Sequence, residues 1–141
     1  MLGQETPKDK ILPIEEFKKL PLAKMLTELP VLAVGGASDL ALKVRMPRIV
    51  CADGTSLSVQ ASEYMYCSPR DNKGPYSSVE VGFPSVAPPE IWQQYAEEPD
   101  RPTDTVYAYV PIELVSFFIA RHGGIDTDRT FAGFAYELKR L

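Results

Sequence analysis

Histidine occurs once in these 141 residues and cysteine twice. Those scarcities remove much familiar chemistry. A zinc site needs soft ligands at close spacing, whereas Cys51, Cys67 and His122 are scattered, with no C-x-x-C or H-x-x-x-H pair. No metal site and no cofactor is expected. Two cysteines are too few for a disulfide framework, and free cysteine usually behaves as a small buried hydrophobe. Gly35-Gly36 follows an apolar run but belongs to neither G-x-G-x-x-G nor G-x-x-x-x-G-K-[ST], and no lysine follows until Lys43. A phosphate loop is therefore excluded.

Long hydrophobic runs are lacking as well. None approaches the roughly 20 residues that cross a bilayer, and the opening MLGQETPKDK lacks the apolar segment of a secretion signal. A soluble, cytoplasmic protein without membrane association is the expectation. Concentrated positive charge is also missing. Residues 1–50 carry eight Lys/Arg against six Asp/Glu, and residues 51–141 carry seven against thirteen, for a net charge of −4. Lys43, Arg45 and Arg48 alternate along an expected strand and read as its solvated face. Nucleic-acid binding, which relies on a basic footprint, is not expected.

What is present suits one globular domain: 45% hydrophobic and 24% charged residues, at a length that supports a core without staples. The 13 prolines are spread along the chain and read as punctuation between elements. Residues 1–10 are polar and aperiodic, an expected flexible arm, and residues 11–141 form the expected domain. Its helical portion (11–30) starts near Pro13, with Glu15 and Glu16 suited to a helix N-terminus. Pro21 interrupts it. Leu22, Met25, Leu26 and Leu29 then form an apolar stripe that Pro30 ends. Gly35-Gly36 reads as a joint.

The β-rich portion (38–110) begins where the period changes to two. Leu40, Leu42, Val44 and Met46 alternate with smaller or charged residues, and Pro47 marks a bulge or an edge. Asp53-Gly54 between Ile49–Cys51 and the alternating Leu57, Val59 and Ala61 predicts a hairpin. A second hairpin is predicted from Tyr64–Cys67 to Val79–Phe83 across Asp71-Asn72-Lys73-Gly74. A proline-rich loop (84–89) then leads to a short helix over Glu90–Glu97, with Trp92 and Tyr95 on one face. Val106–Val110 reads as a strand. The C-terminal portion (111–141) holds a helix opened by Pro111, whose Ile112, Leu114, Val115, Phe117, Phe118 and Ile119 cover most of its circumference and place it centrally in the core. Gly123-Gly124 ends it. Asp126 or Asp128 caps a last helix carrying Phe131, Phe134, Ala135 and Leu138. The predicted class is α+β: an antiparallel sheet of four or five strands, built from two hairpins and packed by N- and C-terminal helices.

No reaction signature is present, so the leading expectation is a non-catalytic binding or accessory protein acting on a protein partner. Tyr64, Tyr66, Arg70, Tyr76, Trp92 and Tyr95 supply an aromatic surface, because Tyr and Trp give large contact area at low entropic cost. Tyr64 and Tyr66 share one expected strand face, and so do Tyr107 and Tyr109. Glu97, Glu98 and Asp100 add an acidic loop. One version of this reading is an inhibitor of a nucleic-acid-handling enzyme, with the acidic loop in a basic groove. The rival is a small enzyme or ligand-binding domain using His122, the one imidazole base, and Cys67 as a nucleophile. Yet the end of a helix already accounts for His122, where a donor meets the last carbonyls. A third reading is a homo-oligomer that pairs its aromatic strand faces across a symmetry axis.

Overall fold

The computed structural model describes residues 14–27 and 46–132. The expected arm 1–10, Pro13, Leu29, Pro30, the Gly35-Gly36 joint, strand positions 40–45 and the positions of Phe134, Ala135 and Leu138 lie outside those residues.

Sequence periodicity translates directly into α1 (Ile14–Phe17), with Glu15 and Glu16 in its first turn, and α2 (22–27). Leu22, Met25 and Leu26, spaced i, i+3 and i+4, are all buried on one face of α2. Four strands follow: β1 (Ile49–Val50), β2 (Ser56–Gln60), β3 (Ser78–Gly82) and β4 (Val106–Pro111). They form one antiparallel sheet in the order β1-β2-β3-β4, and the fold is α+β. A 3-10 helix (Glu90–Tyr95), α3 (Ile112–Arg121) and α4 (Thr127–Thr130) complete it.

The Asp53-Gly54 hairpin forms as read. Ile49 pairs with Leu57, and Gly54 takes the positive φ of +92° that a tight turn demands. The second hairpin does not form as read. β3 pairs with β2 and β4, while the Tyr64–Cys67 stretch makes no strand; Ser68 alone bridges to Ser78. The reason is local competition for the backbone. Asp71 accepts from the amides of Lys73 and Gly74, Asn72 from that of Glu63, and Ser62 from that of Tyr64. Side chains of this kind satisfy the chain in turns, and Pro69 and Pro75 cannot donate to a ladder. Met46 is likewise outside a strand; its amide and carbonyl are both taken by the Gln60 side chain.

One face of the sheet makes the core. Leu57, Val59, Val79, Val81, Tyr107 and Val110 are buried, together with Trp92 and the α3 residues Val115, Phe118 and Ile119. Trp92 stands edge-on to Tyr107 at 5.6 Å and tilted against Phe118 at 5.4 Å. α3 is less central than its composition predicts. Phe117 is 68% exposed, and only three of its apolar residues are buried. A single sheet touches a helix along one stripe, so the opposite side stays wet whatever residues stand there.

β4 departs from strict alternation. Val79 pairs with Val110 and Val81 with Tyr107, so Glu80 alone opposes the two residues Ala108 and Tyr109. This bulge lets Tyr107 and Val110 both reach the core despite odd spacing. Its extra residue, Tyr109, takes φ +58°.

Both edges of the sheet are occupied. Val50 donates to and accepts from the Thr130 hydroxyl, and its carbonyl also receives the Asp126 amide. On β4, Val106 receives the Glu97 amide and Tyr107 bridges to Ala96.

Candidate functional site

Two places on the molecule gather the residues that sequence reading singled out. The first grows from the β4 bulge. Glu80, opposite the bulge, accepts from the Tyr66 amide at 3.0 Å, and the Tyr66 carbonyl accepts from the Tyr109 amide at 3.1 Å. These two bonds clamp the 62–68 turn onto the bulge and bring the rings of Tyr66 and Tyr109 to 6.0 Å, tilted by 45°. The Arg70 guanidinium sits 5.8 Å from the Tyr66 ring centroid, within cation–π range. Tyr64 is the most exposed tyrosine, at 67%. Tyr66, Tyr109 and Arg70 thus form an exposed patch, with Tyr64 exposed two residues before Tyr66 in the same turn.

Tyr109 entered through its backbone, not its spacing. The expectation that Tyr107 and Tyr109 share a face is corrected: the bulge turns Tyr109 out and leaves Tyr107 buried, its hydroxyl donating to the Pro102 carbonyl at 2.7 Å. Tyr64 and Tyr66 likewise share no strand face, because no strand forms there.

Other predicted members of the aromatic surface are absent from it. Tyr76 is 4% exposed, its hydroxyl donating to the Asp71 carbonyl at 2.9 Å, and burial pushes that hydroxyl's pKa up. Trp92 is 2% exposed and belongs to the core. Both are corrected to structural roles, since a large ring beside the sheet's inner face removes most apolar area when buried. Tyr95 is half-buried against the core. Glu97, Glu98 and Asp100 are exposed in the loop after the 3-10 helix, and the first two are anchored through their amides. The Glu97 amide donates to Val106, and the Glu98 amide donates to the Thr105 hydroxyl. Asp104 pairs with Arg101 in the same loop.

The second place surrounds His122. Its Nδ1 lies 2.7 Å from Asp53 Oδ2 and 3.1 Å from Thr55 Oγ1. The imidazole therefore does not serve the last carbonyls of its own helix; it ties α3 to the β1–β2 turn. The backbone reinforces that tie. Asp53 N–H donates to His122 O and Ala52 N–H to Gly124 O. Gly123, at φ +95°, passes so close that a Cβ there would meet the Ala52 methyl at 2.8 Å. Asp53 also accepts from the Thr55 amide, and that bond, with His122 second, lowers its pKa to about 2.

Beside the imidazole runs an open groove of about 320 Å³ lined by Ala87, Pro88, Pro89, Phe118, Arg121 and His122. Cys67 is not part of it. Its thiol is fully buried, directed at the carbonyls of Ser62 and Pro69, and burial raises its pKa, the opposite of what a nucleophile needs. The paired reading of Cys67 with His122 has no geometric support. Cys51 is buried too, at the isolated bridge to Ile125. Among the described residues no three His, Cys, Asp or Glu side chains gather as a metal site, and no helix is long and apolar enough to cross a membrane.

No family model, curated protein or solved structure matches the chain.

Proposed function

We propose that this protein works by binding another protein, through the patch of Tyr64, Tyr66, Tyr109 and Arg70. The observation that carries this reading is the conformation of Tyr109. A left-handed backbone costs a non-glycine residue about 1–2 kcal/mol, and a glycine would serve the bulge without that cost. Tyrosine at this position instead sets an aromatic ring 42% exposed beside Tyr66. Strain of this kind is tolerated where the surroundings enforce it, and it concentrates at working sites.

The patch has the composition of an interface centre: tyrosines with few rotatable bonds and an arginine held over a ring. The acidic loop carrying Glu97, Glu98 and Asp100 supplies a second, negatively charged contact, which favours a partner with a basic surface. Inhibition of a nucleic-acid-handling enzyme is the version of this proposal in which that basic surface is a nucleic-acid groove.

Site-specific photocrosslinking tests the proposal. A photoreactive phenylalanine analogue at Tyr66 is expected to capture a protein of defined mass from a lysate of the source cells. The same analogue at Phe117, still more open to solvent on α3, is not expected to capture it. Identical adducts at the two positions, or none at Tyr66, would remove the patch as the binding site.

A further inference from the structure

The groove beside α3 carries a second site, independent of the tyrosine patch. We infer that it binds a small organic anion, its charged oxygens on Arg121 and His122 Nε2 and its apolar body against Phe118, Pro88 and Pro89.

Three observations lead there. The first is the division of labour on the imidazole. Nδ1 is occupied by Asp53 and Thr55, which leaves Nε2 as the ring nitrogen available to an occupant of the groove that His122 lines. A carboxylate on Nδ1 fixes the ring's orientation. The second is Arg121. It lines the same groove, is exposed, and has no carboxylate or hydrogen-bond partner among the described residues. The lining residues include no acid, so a cation and a second donor face the groove without a counter-charge in its wall. The third is the floor. Phe118 is almost completely buried, its ring centroid 4.7 Å from that of the imidazole, and Pro88 and Pro89 add stiff apolar lining. Apolar walls with a few convergent polar groups are the make-up of small-molecule sites, and about 320 Å³ lies at the small end of their range.

The groups facing the imidazole are the Asp53 carboxylate and Thr55 hydroxyl from the β1–β2 turn, Arg121 from its own helix, and the Phe118 ring.

A single histidine makes the test direct, because the full-length protein gives one set of imidazole NMR signals. Sodium benzoate and inorganic phosphate are titrated separately at constant ionic strength, with sodium chloride as reference. Benzoate is expected to move the imidazole signals saturably. Arg121→Gln, an exposed position whose loss leaves the core intact, is expected to weaken that response roughly tenfold or more, the loss expected of one charge-assisted hydrogen bond. Asp53→Asn is expected to weaken it as well, because Asp53 holds the imidazole at Nδ1. A response to phosphate matching that to benzoate would overturn the apolar half of the site. A response no larger than that to chloride, or one unchanged in Arg121→Gln, would overturn the site altogether.

Discussion

Tyr109 and Phe83 are the two non-glycine residues with positive φ among the described residues, at +58° and +49°, and both are exposed aromatics. Each is held by a neighbour's backbone or side chain. The Tyr109 amide donates to Tyr66, while the Phe83 amide donates to Thr105 and its carbonyl accepts from Arg48. Arg48, read from its spacing as a solvated strand charge, is in fact a staple joining Ser56 to Phe83. Nothing in the sequence marks these conformations, because the bonds that enforce them come from distant segments. Replacing Tyr109 by Gly relieves the strain but loses the ring contact and adds chain entropy, effects of about 1 kcal/mol each with opposing signs. Urea denaturation should therefore find Tyr109→Gly within about 1 kcal/mol of the parent. Tyr107→Ala, which empties a core position two residues earlier, should cost about 3–5 kcal/mol. Acid sensitivity also belongs to this scale. Asp53 is held down by the Thr55 amide and His122, Asp126 by Arg129, and Asp71 by the Gly74 and Lys73 amides. A carboxyl lowered on folding stabilises the protein above the ordinary aspartate value of 3.8, and that contribution disappears as the pH falls through the folded value, about 2 for Asp53. Unfolding free energy should thus fall between about pH 4 and pH 2, and less steeply in Asp53→Asn.

At the scale of elements, local signals succeeded where one short stretch held all the causes. Asp53-Gly54 gave its hairpin, the α2 stripe gave its buried face, and Asp126 caps α4 by accepting from the Arg129 amide. They failed where two segments share one decision. Residues 61–77 look like half a hairpin, but Asp71, Asn72 and Ser62 hold the chain in turns, and β3 takes β2 and β4 as partners. The bulge escaped because alternation through Tyr107 and Tyr109 is intact in the letters and broken only by pairing with β3. The glycine pair after α3 offers an element-level test. Gly123 and Gly124 both have positive φ, but a Cβ at Gly124 meets open space whereas one at Gly123 strikes the Ala52 methyl. Gly124→Ala should cost about 1–2 kcal/mol from backbone strain alone. Gly123→Ala should cost clearly more, because it also pushes apart the β1–β2 turn and α3. Thermal unfolding of the two variants checks the order.

Considered as a whole molecule, the protein has its sheet edges covered and its aromatic patch uncovered. Thr130 and Asp126 occupy the β1 edge, and Ala96 and Glu97 occupy that of β4, so edge-to-edge pairing between copies is blocked where they stand. Self-association through the tyrosine patch is the remaining form of the oligomer reading, and the binding proposal expects sedimentation velocity at micromolar concentration to find a monomer. The acidic loop contributes at this scale too. Reversing Glu97, Glu98 and Asp100 to Lys should leave stability within about 0.5 kcal/mol, since all three side chains are exposed. The same change should weaken capture of a basic partner and reduce its salt dependence. The α+β class and the Asp53-Gly54 hairpin were legible in the sequence. The dyad of Asp53 and His122 was not, because the two lie 69 positions apart and meet only when the first hairpin docks against the end of α3.

The central claim is that the tyrosine patch is where this protein meets its partner, and affinity capture with a matched pair of proteins tests it most directly. The parent and the double variant Tyr64→Ser/Tyr66→Ser, first shown to unfold at similar urea concentrations, are immobilised and exposed to the same source-cell lysate. A protein retained stoichiometrically by the parent and lost from the variant is the predicted result. Equal retention by both, or no retained protein on the parent, would contradict it.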